Sequence, residues 1–151
     1  MIRVQKQPFD IGAELAALSA GRRDIGAIAS FVGLVRDLAD APIAAMTLEH
    51  YPGMTEKKLA EIEAAANERW SLQASLIVHR YGRMLPGEPI VLVATASEHR
   101  AAALESCAFL IDWLKTEAPF WKLEESSGET RWVEARASDE RTAARWDTRS
   151  S

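Results

Sequence analysis

The 151-residue sequence holds a single cysteine, Cys107. An internal disulfide is therefore excluded, which fits a reducing compartment. GxxxxGK[ST] and GxGxxG are both missing, so no known phosphate-cradling loop is encoded. CxxC and HExxH are missing too, and His50, His79 and His99 lie far apart in sequence. No metal site and no cofactor are expected on those grounds. Positive charge is not in excess: the formal net charge is −4, which argues against a general nucleic-acid binder with a basic face. No apolar run approaches the length of a membrane span. The opening MIRVQKQPFD carries no apolar core of signal-peptide type. The expectation is a soluble cytoplasmic protein with neither nucleic acid nor membrane as partner.

What is present suits a globular protein. Hydrophobic residues make up 48% and charged residues 26% of the chain, enough for one domain with a proper core. Alternation predicts a strand over 2–7, closed by Pro8. Asp10 caps a helix to residue 20, with Ile11, Leu15 and Leu18 on one stripe and Gly21 at its end. A long strand follows over 25–36, where Gly26 and Gly33 suggest bulges or close backbone approach. Another spans 43–51. Thr55 is expected to cap a helix to residue 70, with Leu59, Ile62, Ala66 and Trp70 inward and Lys57, Lys58, Glu61, Glu63 and Glu68 in solvent. Strands over 73–81 and 89–96 follow, the second apolar on both faces. A helix over 98–115 buries Ala103, Cys107, Leu110, Ile111 and Leu114, and Pro119 breaks it. Two strands over 120–125 and 130–135 complete the order β-α-β-β-α-β-β-α-β-β. Adjacent strand pairs favour an α+β fold with a mainly antiparallel sheet and packed helices. Residues 1–137 read as one domain and residues 138–151 as a polar, partly mobile tail.

Chemistry concentrates in residues 97–122, SEHRAAALESCAFLIDWLKTEAPFWK. His99 and Arg100 open the helix, where the backbone dipole is already positive and a cation is unfavourable unless an anion sits nearby. Lys115 closes it, where a lysine meets the dipole favourably. Lys122 follows the Pro-Phe-Trp break. Arg36, Arg131 and Arg136 end or flank strands. Singly, every cation except Arg100 is adequately explained as a surface charge; together they suit a pocket for an anion such as a phosphate ester. A lysine held among cations would have a lowered pKa, which suits a nucleophile or an acid/base. Cys107, on an apolar stripe, reads as a core thiol. His50 shares a strand face with Met46 and Leu48 and reads as packed; His79 is ambiguous.

The segments FVGLVRD (31–37), TLEHYPGMTEKKLAEI (47–62), HRYGRMLPGE (79–88), SEHR (97–100), LKTEAPFWK (114–122) and RWVEARASD (131–139) resemble the large, catalytic subunits of molybdopterin synthases. The loop after Arg36, Asp-Leu-Ala-Asp-Ala, departs from the Asn- and Gly-rich character of that family. The resemblance implies an α/β-hammerhead fold. It implies a sulfurtransferase of molybdenum cofactor biosynthesis that builds a dithiolene on a cyclic pyranopterin monophosphate. Its sulfur comes from the C-terminal thiocarboxylate of a small ubiquitin-like subunit ending in Gly-Gly. The absence of a plausible sulfur-carrying cysteine agrees with an external donor.

By motif, the resemblance makes Lys115 the main catalytic residue, beside the donor's terminal glycine, with Lys122 assisting catalysis or holding substrate. Arg36, His99 and Arg100 match an anion pocket, and Arg136 matches a contribution from the neighbouring protomer of a homodimer within a heterotetramer. Phe31, Pro119, Phe120 and Trp121 are expected to wall the channel for the donor's tail. A helix of this length holds its two ends roughly 25 Å apart at 1.5 Å per residue, so either the pocket is elongated or a dimer supplies one end from the partner chain; the second is expected. A non-catalytic scaffold for a ubiquitin-like partner and an anion-binding regulatory module are the competing readings.

Overall fold

A computed structural model describes residues 1–37, 42–126, 129–133 and 144–146, with residues 129–133 described by their backbone alone. The elements run β1 (Ile2–Gln5), α1 (Ile11–Ser19), β2 (Ala27–Leu34), β3 (Ala45–His50), α2 (Met54–Trp70), β4 (Ala74–Arg80), β5 (Gly82–Met84), β6 (Pro89–Ser97), α3 (Arg100–Glu117), β7 (Phe120–Ser126) and β8 (Glu129–Val133). The class is the expected α+β with antiparallel pairing dominant. The strands divide, however, between two four-stranded sheets, ordered β1-β4-β6-β2 and β5-β3-β7-β8. Among the described residues, only β1 and β4 pair in parallel. The short β5 was not legible in sequence: three residues are too few for a period, and its reality rests on pairing with β3.

Strand β6 has both faces covered, as its unbroken apolar run requires. Val91 and Val93 pack with Leu59, Ile62, Leu110 and Leu114 of α2 and α3. Leu92 and Ala94 point the other way, with Leu76 and Val78, toward Ile11, Leu15 and Leu18 of α1. A third cluster, Val35, Met46, Leu48, Met84 and Ile90, forms the core of the second sheet. Trp146 belongs to the segment read as a polar tail, yet it is 4% exposed. Its ring packs edge-on against Trp70 and Phe109, and its indole N–H donates to Asp112 at 2.7 Å.

Several local expectations are met. Asp10 accepts from the Ala13 N–H at 2.9 Å as N-cap of α1. A Cβ at Gly26 would collide with the Glu98 carbonyl oxygen, and one at Gly33 would press on Val91 just where the β2–β6 register shifts. Two expectations are corrected. The N-cap of α2 is Gly53, at φ 85°, and the Glu56 carboxylate accepts its N–H at 2.6 Å. Thr55 is fully buried instead; its hydroxyl accepts from the Tyr51 N–H at 3.2 Å and donates to the Pro119 carbonyl at 3.4 Å. Glu63, assigned to solvent, binds the N-terminal amine at 2.7 Å and the Ser75 hydroxyl at 2.8 Å.

The two sheets meet at an aromatic contact. His79, near the end of β4, stacks on Phe120, the first residue of β7, with centroids 3.7 Å apart and planes 15° from parallel. Burial, reinforced by the charges of Lys115, Lys122 and His50, lowers the His79 pKa to about 3. An unfolded histidine titrates near 6.5, so below that pH the unfolded chain takes up a proton that the folded protein refuses. The stability due to this neutral ring is present above pH 6.5 and is lost as pH falls toward 3. Urea melts at pH 7 and pH 5 are expected to show a loss of stability that His79→Phe reduces. Gly26→Ala is expected to lower stability by more than about 1 kcal/mol, because its obstacle is backbone, which cannot rotate away; a lower urea midpoint at unchanged m-value measures it.

Candidate active site

The carboxyl end of α3 returns to the start of β6. Helix α3 follows β6 after two residues and packs back along it. Strand β4 runs antiparallel to β6, with His79 opposite Val91. Lys115, two residues before the end of α3, therefore comes to the end of the sheet at which β4 finishes. The helix stops at Glu117, and Ala118 donates its N–H to Leu114. Pro119 cannot continue the helix, and β7 begins at once at Phe120. This tight exit keeps Lys122 near Lys115: both are half-buried, and the charge of each reaches His79. Two cations from different elements thus converge on one buried imidazole.

The floor of this site is aromatic. Tyr81 packs on His50 at 4.3 Å, His50 stands 6.2 Å from Phe120, and Phe120 stacks on His79. His50 is packed, as its strand pattern indicated, with a side chain 9% exposed and its Nε2 4.0 Å from Glu56. The ambiguity over His79 is resolved as burial. Its Nδ1 lies 2.9 Å from the Arg80 carbonyl. A carbonyl only accepts, so Nδ1 carries the ring proton. The rim is apolar: Trp121 and Tyr51, 40% and 54% exposed, meet edge-on at 4.6 Å.

Arg36 is exposed and follows β2 at this same end. Its neighbour Val35 is held by the Glu88 carbonyl at 2.9 Å and the Gly87 N–H at 2.7 Å. Those residues precede β6, and Arg80 reaches Glu88 at 3.4 Å from β4. Phe31, 37% exposed, shares a face of β2 with Ala29, which packs in the α3 core. Pro119, Phe120 and Trp121 follow directly on the end of α3.

His99 and Arg100 stand at the opposite end. His99 is the N-cap of α3 without a side-chain capping bond. Its side chain is 86% exposed, 4.0 Å from Glu98. Arg100 is exposed beside it, and no acidic residue occupies the first turn. The helix rise separates Arg100 from Lys115 by about 22 Å along the axis. Within one chain these groups do not converge. Arg136 lies outside the described residues, as do residues 38–41 of the loop after Arg36 and the side chain of Arg131.

Cys107 is not part of the site. It is buried, its Sγ lies 3.8 Å from the Val93 carbonyl, and burial pushes its thiol up to about 11. A thiol held protonated at neutral pH is a poor nucleophile. His79 was passed over in sequence because a histidine ending an apolar strand can equally be packed or free. The influence of the two lysine charges on it emerges only when α3 and β7 are folded onto β4.

Residues 4–117 match the family described as MoaE protein. The chain is 57% identical over 146 residues to the molybdopterin synthase catalytic subunit of Ralstonia nicotianae, covering 96% of this chain and 83% of that one. Its fold matches the molybdopterin biosynthesis MoaE protein from Burkholderia ambifaria with a TM-score of 0.85 at 54% identity, covering 97% of each chain. It also matches the crystal structure of molybdopterin synthase from Staphylococcus aureus with a TM-score of 0.81 at 28% identity, covering 87% of this chain and 96% of that one. The chain therefore belongs to the MoaE protein family, the family of the molybdopterin synthase catalytic subunits.

Proposed function

We propose that this protein is the catalytic subunit of a molybdopterin synthase. It transfers sulfur from the C-terminal thiocarboxylate of a small ubiquitin-like subunit ending in Gly-Gly to cyclic pyranopterin monophosphate, forming the molybdopterin dithiolene. The observation that carries the reading is that Lys115 and Lys122, both half-buried, each bring their charge to His79, the ring on which Phe120 stacks. Both reactants are anions, a phosphate monoester and a thiocarboxylate, and they repel each other. Two ammonium groups fixed before the reactants arrive offset that repulsion without reorganisation. The half-buried setting strengthens the effect relative to open water. Trp121 and Tyr51 give the donor's tail an apolar rim, and Phe31 with the Pro119–Phe120 exit forms the channel wall. A pure scaffold would need the rim but not two converging lysines.

The anion grip of His99 and Arg100 belongs, in this reading, to the site of the neighbouring protomer in a homodimer. Arg136 is assigned to the same shared pocket, and two small subunits complete a heterotetramer. The support is the length of α3: about 22 Å separates Arg100 from Lys115 in one chain, too far for one small substrate.

Mixing the protein with thiocarboxylated small subunit and the pterin monophosphate is expected to yield dithiolene product. Lys115→Ala is expected to lower turnover by about 100-fold or more, the scale of losing one preorganised charge. Full turnover by that variant would overturn the catalytic assignment. Mixed dimers test the shared pocket. Refolding Lys115→Ala with Arg100→Ala in equal amounts is expected to restore about one quarter of wild-type activity, because half the dimers are mixed and each holds one intact site. No recovery above either parent would locate the pocket within one chain.

A further inference from the structure

We propose that His79 is a positioning residue for Lys122, acting through the face of Phe120. This rests on the sulfur-transfer reading above but adds a residue to which that reading gives no role. In β7, residues two apart share a face, so Phe120 and Lys122 project to the same side. The Phe120 ring lies flat on the His79 imidazole, 3.7 Å away and 15° from parallel. His79 is itself held: it is 4% exposed, its backbone sits in the β1–β4–β6 ladder opposite Val4 and Val91, and its Nδ1 proton is engaged by the Arg80 carbonyl. A strand paired on both sides thus supports the first residue of β7. Without that flat support, the Phe120 ring loses its stacking contact with the first sheet, and the side to which Lys122 projects loses its reference.

The ring must also be uncharged. A cationic imidazole here would stand among Lys115, Lys122 and His50 and would push the ammonium groups apart. With the proton on Nδ1, the ring presents a neutral face to Phe120. His79 touches no reacting atom in this account; its effect travels through Phe120 to Lys122.

Two substitutions separate the ring from its nitrogens. His79→Phe keeps a flat neutral face and loses both nitrogens. His79→Gln keeps hydrogen-bonding capacity and loses the face. With wild type active in the sulfur-transfer assay, His79→Phe is expected to retain kcat within about 3-fold. His79→Gln is expected to lose about 10- to 100-fold in kcat, on the scale of a small misplacement of a catalytic group, with the KM for the pterin changed less than about 3-fold. The reverse order, or equal activity in both variants, overturns the proposal. If either fails to unfold cooperatively, the partner ring asks the same question: Phe120→Leu is expected to lose kcat on the same scale with the KM for the pterin changed less than about 3-fold, and an unchanged kcat overturns the proposal. An inactive wild type would instead count against the sulfur-transfer reading.

Discussion

Everything in this molecule depends on how β6 is covered. Its residues are apolar on both faces, so both must be taken from water, and at roughly 25 cal/mol per Å² that requirement dominates local preference. Helices α2 and α3 satisfy one face and α1 the other. Because α3 follows β6 directly and must lie on it, it returns antiparallel. That return takes Lys115 to the end of the sheet at which β4 delivers His79. The site is thus a consequence of core burial, with the cations carried at the margin of the packed layer.

The second sheet adds what the first lacks. Strand β7 leaves α3 after two residues and pairs with β3, so Lys122 stays within a few residues of the end of that helix. The Thr55 hydroxyl ties the start of α2 to the Pro119 carbonyl, and the stacked rings of His79 and Phe120 join the two sheets. These contacts hold the turn between the lysines from three sides. The same length of α3 that makes a stable core helix keeps Arg100 about 22 Å from Lys115 within one chain, which is why we propose that the His99–Arg100 pair serves a neighbouring protomer.

Much of this was legible beforehand where one residue's environment depends on its near neighbours in sequence. The stripes of α2 and α3, the cap at Asp10, the packed His50 and the core thiol of Cys107 follow from periodicity. Gly26 and Gly33 stood in a strand of otherwise larger residues and prove to be a close approach and a register shift. Other features were not legible. Glu63 looks like a solvated charge until the N-terminal amine arrives from 62 positions away. Trp146 looks like part of a polar tail until Trp70 and Phe109 enclose it. Thr55 resembles a cap because serine and threonine usually serve that role, but Gly53 at positive φ begins the helix earlier.

Sequence alone determined the order of the elements other than β5, the α+β class, the inward faces of the helices and the cations available for chemistry. Each follows from backbone period and side-chain polarity, which act over a few residues. The aromatic strings, by resemblance, indicated the family as well. Only the tertiary structure decided that the strands form two sheets, that Lys115 and Lys122 both bring their charge to His79 while His99 and Arg100 stand at the far end of α3, and that His79 is neutral. Those outcomes depend on burial and on charges brought together by elements distant in the chain. No local pattern encodes a distance between two such elements; the packing of α3 and β7 against β6 and β4 creates it.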